Sequence, residues 1–101
     1  MNTSKKKIIS KKVYDPPLDY NIKNAVLTLN ENGIETFESC QGGRGHAYKE
    51  PTVRFEGDKA EGFKAIAIAM QNGLRVSELR RVWDIIDGEP VGPFWELIFI
   101  R

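Results

Sequence analysis

One pattern limits the folds open to this chain more than any other. The tripeptide Asn32-Gly33-Ile34 returns as Asn72-Gly73-Leu74, forty residues further on. Each copy follows a stretch with helical apolar spacing and precedes two stretches with strand character. The chain therefore reads as αββ written twice, with the marks of an old duplication. Asn-Gly stops a helix because glycine takes the left-handed conformation without the steric penalty of a Cβ. A chain of 101 residues built this way is expected to make one domain with one core.

Each half supplies its own elements. Asp19 is placed to cap a first helix, whose buried stripe is Ile22, Ala25, Val26 and Leu29. Ile34 to Glu38 reads as a strand, and Pro51 to Glu56 as a second, with Val53 and Phe55 turned inward. Asp58 with Glu61 three residues later has capping-box spacing for a second helix. Its apolar stripe is expected to be Phe63, Ile66, Ala67 and Met70. Leu79 to Ile86 reads as a strand, Asp87 to Pro93 as a turn, and Phe94 to Ile100 as the last strand. That last strand is apolar on both faces except at Glu96, as a central strand would be.

The order αββαββ is a circular permutation of βαββαβ, the ferredoxin-like arrangement. The expected fold class is α+β. It is a two-layer sandwich with two helices on one face of a mostly antiparallel four-stranded sheet, and the permuted ferredoxin-like arrangement is one topology open to it. A plain meander of the two αββ units is the competing topology. In the permuted arrangement, the loop after Ser39 shares one end of the sheet with three other places. These are the start of helix one, the start of the 79–86 strand and Arg101. The Asp87–Pro93 turn lies at the far end.

Residues 1–13 are expected to be a basic flexible tail, with Ile8 to Val13 as a possible short edge strand; residues 14–101 form the single domain. The tail holds Lys5, Lys6, Lys7, Lys11 and Lys12 and no acid before residue 13. The rest then has ten Lys and Arg against fourteen Asp and Glu, so a net +1 hides a basic arm on an acidic body. Such an arm suits nucleic acid, or serves as a solvated tail. No apolar run is long enough to span a bilayer, so no membrane partner is expected. The tail has no apolar core of a secretory signal. The single cysteine fits a reducing, cytoplasmic setting.

The chemically dense stretch is Ser39-Cys40-Gln41-Gly42-Gly43-Arg44-Gly45-His46, inside a loop expected over 39–50. Glycines allow backbone N–H groups to approach a ligand and form an anion nest. Arg44 offers a fork to phosphate or carboxylate, and His46 donates, accepts or carries a proton. All eight residues are candidate ligand contacts for a small anionic or nucleotide-like molecule. In an enzymatic alternative, Cys40 is the nucleophile and His46 its base. A third reading makes the chain a nucleic-acid binder. It joins the lysine arm to a basic, aromatic patch on the open sheet face, from Arg54, Arg80, Arg81, Trp83, Trp95 and Phe37. Plain structural readings stand beside these: a floppy loop, a buried cysteine, solvated Arg44 and His46, tryptophans in the core.

Known motifs fit poorly. There is no Gly-Lys-Ser/Thr opening a helix. Cysteine phosphatases need Arg six residues after Cys, and here that position is His46. Cys40 and His46 lack two further zinc ligands, so no metal and no cofactor is expected.

The run Gly33-Ile34-Glu35-Thr36-Phe37-Glu38-Ser39-Cys40-Gln41-Gly42-Gly43, with His46, resembles small uncharacterised proteins of bacteria and their phages. These carry a Gly-hydrophobic-x-Thr strand and a Ser-Cys-x-Gly loop with a nearby His. The likeness covers residues 20–56 and extends to Arg81-Val82-Trp83 and Gly88-Glu89-Pro90. It implies that the loop matters and that the source is a phage or prophage. It implies no activity.

Overall fold

The computed structural model describes residues 22–100. The lysine arm, the expected 8–13 strand, the Asp19 cap and Arg101 lie outside them. Helix α1 spans Lys23–Glu31, strand β1 Thr36–Cys40, β2 Thr52–Phe55, helix α2 Lys59–Gln71, β3 Val76–Ile86 and β4 Glu89–Phe99. The two helices pack with one antiparallel sheet of order β1-β2-β4-β3. The last strand is central and forms a hairpin with its predecessor, as the permuted arrangement requires.

The two helices end alike. Asn32 and Asn72 each return a side-chain N–H to the carbonyl four residues back, at 2.8 Å in both cases. Ile34 N–H reaches Leu29 O and Leu74 N–H reaches Ala69 O, both at 2.9 Å. These are the outer bonds of Schellman turns, with Gly33 and Gly73 at positive φ. The bond at Ile34 keeps that residue in the turn. The first strand therefore begins at Thr36 rather than Ile34, and runs on to Cys40.

Helix α1 buries Ile22, Ala25, Val26 and Leu29, the expected stripe. Helix α2 is rotated by one residue from expectation. It buries Gly62, Ala65, Ile68 and Ala69, while Phe63, Ala67 and Met70 are exposed. Gly62 explains the rotation. A Cβ there would sit 2.7 Å from the Trp95 indole, so the helix crosses the ring where it has no side chain. The same indole N–H donates to Gly57 O and Asp58 O at 3.1 and 3.0 Å, fixing the helix start. Asp58 caps that start as expected, accepting from Glu61 N–H at 3.1 Å.

Between helices and sheet lies the core, with Leu29, Ile34, Val53, Phe55, Ala65, Ala69 and Leu97 wholly enclosed. Trp95, Leu97 and Phe99 give β4 its core face. The 87–93 turn is shorter than expected. Asp87 and Gly88 alone make it, both at positive φ, the Asp-Gly chemistry of a type I′ hairpin. Pro90 and Pro93 lie within β4. Strand β2 pairs only with Trp95 to Ile98 of β4. Beyond that point no described strand pairs with this side of β4, where a missing N–H breaks no ladder among the described residues. Residues 82–94 thus project as a two-stranded ribbon.

Candidate functional site

A cleft of about 640 Å³ opens at one end of the sheet. Gln41, Gly42, Gly43, Arg44 and His46 form one wall. Ile22, Asn24 and Ala25 come from the start of α1, and Gly73, Leu74 and Arg75 from the approach to β3. Phe99 and Ile100 close it from the end of β4. The loop, the first turn of α1 and the start of the third strand meet here, as the permuted topology requires. The Asp87-Gly88 turn does not line it. Among the described residues, the charged lining residues are Arg44 and Arg75, and no carboxylate is among them. Asn24 and Arg75 carry no motif, and only the topology brings them to the loop.

The loop glycines answer to loop closure more than to an anion nest. Gly43 N–H donates to Lys49 O at 2.8 Å, and His46 N–H to Gly43 O at 3.1 Å. Gly42 N–H points at Cys40 Sγ, 3.4 Å away. Two of the three glycine N–H groups expected for an anion are therefore already engaged. A Cβ on Gly42 would fall 2.3 Å from the Glu50 carbonyl carbon, so the returning chain crosses over this residue. Gly45 has open space around it and is required only by its φ of +81°. Gln41 Nε2 lies 3.2 Å from His46 Nε2. As a donor it fits an imidazole whose proton is on Nδ1.

Ser39 and Cys40 fall in β1 and do not line the cleft. Cys40 is buried, and its sulfur faces the Gly42 N–H described above. No hydrogen bond joins it to His46 among the described residues.

The open sheet face carries charge, but not the expected basic patch. Glu38, Arg54, Glu96 and Arg80 stand opposite one another across all four strands. Arg54 is enclosed, and binds Asp84 through two nitrogens at 2.9 and 2.8 Å. It also meets Glu96 at 3.0 Å and Glu38 at 3.4 Å, and its guanidinium lies over the Phe94 ring. The hydrogen bonds with Asp84 do most to raise the Arg54 pKa further, and the same bonds hold the Asp84 carboxyl below its ordinary range. Arg80 pairs with Glu78. Arg81 lies on the helix side, over Trp95. Trp95 is in the core, whereas Trp83 is 55% exposed on the ribbon rather than packed in the core or on the sheet face. Phe37 meets Phe94 edge-on. Among the described residues, Arg54 and Arg80 are paired with carboxylates and Arg81 lies on the other face, so these residues form no basic stacking platform.

Tyr48, from the loop's returning arm, reaches this face. Burial first, and the negative charge of Glu38 second, push its pKa up to about 12. Sequence reasoning passed over Tyr48 and Asp84. The lone Glu96 in an apolar strand was the available sign of a buried partner.

Among the described residues, no helix is long and apolar enough to cross a membrane. Comparison with models of protein families, with curated proteins and with solved structures gave no match.

Proposed function

We propose that the chain is a small ligand-binding module. Its cleft takes an anionic molecule with an apolar or planar portion, of which a nucleotide is the model case. The observation that carries this is the lining. Two arginines, one from the loop and one from the approach to β3, line a concave space whose other described lining residues are apolar or uncharged, with no carboxylate among them. In such a setting a ligand's negative group gains charge-assisted hydrogen bonds, and its apolar part loses contact with water. Arg44 and Arg75 neutralise the anion. The Gln41–His46 pair orients a polar edge, and Ile22, Leu74 and Phe99 contact the apolar portion. Because loop N–H groups close the loop, the side chains rather than a backbone nest supply the recognition.

Calorimetric titration with adenosine and guanosine mono- and diphosphates tests this. Binding is expected for at least one. Arg44→Ala and Arg75→Ala should each weaken it about tenfold or more, as the loss of one charged hydrogen bond of about 1.5–3 kcal/mol implies. Cys40→Ser should leave it unchanged. Equal affinities in wild type and both arginine variants would overturn the reading.

A further inference from the structure

Strand β3 is an outer strand of the sheet among the described residues, and it is eleven residues long. The opposite edge, β1, has five. A long edge is a template for pairing unless proline, bulges or repeated lysines blunt it. Val76–Ile86 contains no proline and no lysine, and its charges, Glu78, Arg80, Arg81 and Asp84, are of both signs. Its ladder with β4 shifts register twice: between Val76 and Glu78 the extra residue is in β3, and between Val82 and Asp84 it is in β4, so β3 itself is unbulged from Glu78 onward. Its distal half carries Trp83, Ile85 and Ile86 at 55%, 69% and 52% exposure, beyond the reach of β2.

One register both pairs unlike charges across the edge and covers its exposed half. Two copies joined as a continuous sheet must keep the helix-covered faces together. Directly opposed residues share a face in antiparallel pairing, so the two-fold axis must pass through a residue. An axis through Arg81 sets Arg81 against itself and Glu78 against Asp84. An axis through Arg80 sets that arginine against itself, and one through Trp83 sets Leu79 against Asp87. An axis through Leu79 opposes Glu78 to Arg80 but leaves Trp83, Ile85 and Ile86 beyond the paired stretch. The axis through Val82 both opposes unlike charges and covers that distal half, with Glu78 facing Ile86. Arg80 then faces Asp84, Leu79 faces Ile85, Arg81 faces Trp83 and Val82 faces its own copy. Each unlike pair occurs twice. Arg80 and Asp84 share the open face, where Asp84 already meets Arg54. Leu79 and Arg81 lie on the helix side.

We propose that the chain forms a symmetric dimer by antiparallel pairing of β3 with β3 about Val82, which joins two four-stranded sheets into one of eight. The same register brings the second copy's Asp87-Gly88 turn alongside Ser77 and Val76, next to the Arg75 wall of the cleft. The dimer covers the exposed half of β3 and removes the sheet's long edge. It stands independently of the cleft's ligand.

Sedimentation equilibrium of the full chain at tens of micromolar is the first test, with an expected mass twice the 11.5 kDa of one chain. Val82→Cys in a Cys40→Ser background should cross-link to itself under mild oxidation. Opposed Cα atoms in an antiparallel pair lie about 4.5–5.5 Å apart, within the span of a disulfide. Ser77→Cys in the same background should not cross-link, since Asp87 of the other copy faces it. Val82→Lys should halve the mass. A monomeric wild type overturns the proposal, as does a stable pairing with an added unrelated strand peptide in place of a second copy. A dimer that cross-links through Ser77→Cys but not Val82→Cys, or that survives Val82→Lys, overturns the register.

Discussion

The two αββ halves finish their helices with the same turn and build opposite hairpins from there. In the first half, strands of five and four residues are joined by the long loop from Gln41 to Pro51. In the second, two strands of eleven residues are joined by Asp87-Gly88 alone. The first hairpin places its extra chain beside the sheet, where it forms a wall of the cleft. The second extends its strands past the sheet as a ribbon. The comparison teaches that helix ends and core set the frame, while hairpin length decides what each half presents to a partner. The halves are also interdependent. Arg54 of the first holds Asp84 of the second, and Arg75 of the second completes the cleft of the first.

The largest effect is expected where the halves are tied. Arg54→Met leaves Glu96 buried without its cation. Breaking such a pair costs about 3–5 kcal/mol, to be read from urea unfolding. A loss below about 1 kcal/mol would mean that the charges across the open face are merely solvated.

Next comes the contact that turns α2. Gly62→Ala places a methyl against the Trp95 ring, and overpacking of this kind costs about 1–3 kcal/mol in spite of alanine's better helix propensity. A stabilised variant would show that the helix does not rest on the indole.

Smaller effects separate the glycines of the loop. Gly45→Ala bears only the left-handed penalty of about 1–2 kcal/mol. Gly42→Ala adds a collision with the Glu50 backbone, so it should cost more stability and also abolish ligand binding. Equal losses at both positions would make the loop's self-crossing irrelevant.

The mildest test is pH. Asp84 has its folded-state pKa below the ordinary 3.8, so the folded form binds its proton less readily than the unfolded one. Its contribution is present above that value and is lost as pH falls through the folded pKa, and Asp84→Asn should flatten this acid limb. Tyr48 has its folded pKa above the ordinary 10.0, so its contribution is complete below pH 10 and is lost as pH rises toward about 12. Tyr48→Phe should remove that alkaline slope. Acid and alkaline limbs unchanged in these variants would place the titrations elsewhere.

Much of the frame was legible in the sequence, because short-range chemistry sets it. The α1 stripe, both Asn-Gly endings, the Asp58 cap and the inward pair Val53 and Phe55 depend on neighbours a few residues away. The rotation of α2 was not legible. Periodicity credits Phe63 and Met70 for their side chains, whereas the contact that decides the face is made by Gly62, which has none. Pro90 and Pro93 looked like turn residues because nothing local shows that β4 outruns β2. The loop stood out in the sequence by its composition, and the topology placed it at the end of the sheet where the cleft lies. Arg75 and Asn24 did not, since only the fold brings them to it. The expected basic face failed for the same reason. Arg54 is a free charge in the sequence and a shared one across four strands.

The central claim is that the first half's loop and the second half's Arg75 form one anion-binding cleft. Amide chemical shifts recorded while a nucleoside diphosphate is added test it most directly. The expected result is a single set of saturable shifts at Gly43, Arg44, His46, Leu74, Arg75 and Ile100, with the ribbon around Asp87-Gly88 unmoved. Shifts confined to the ribbon or the open sheet face, or none at any of these residues across the nucleotides tested, would contradict it.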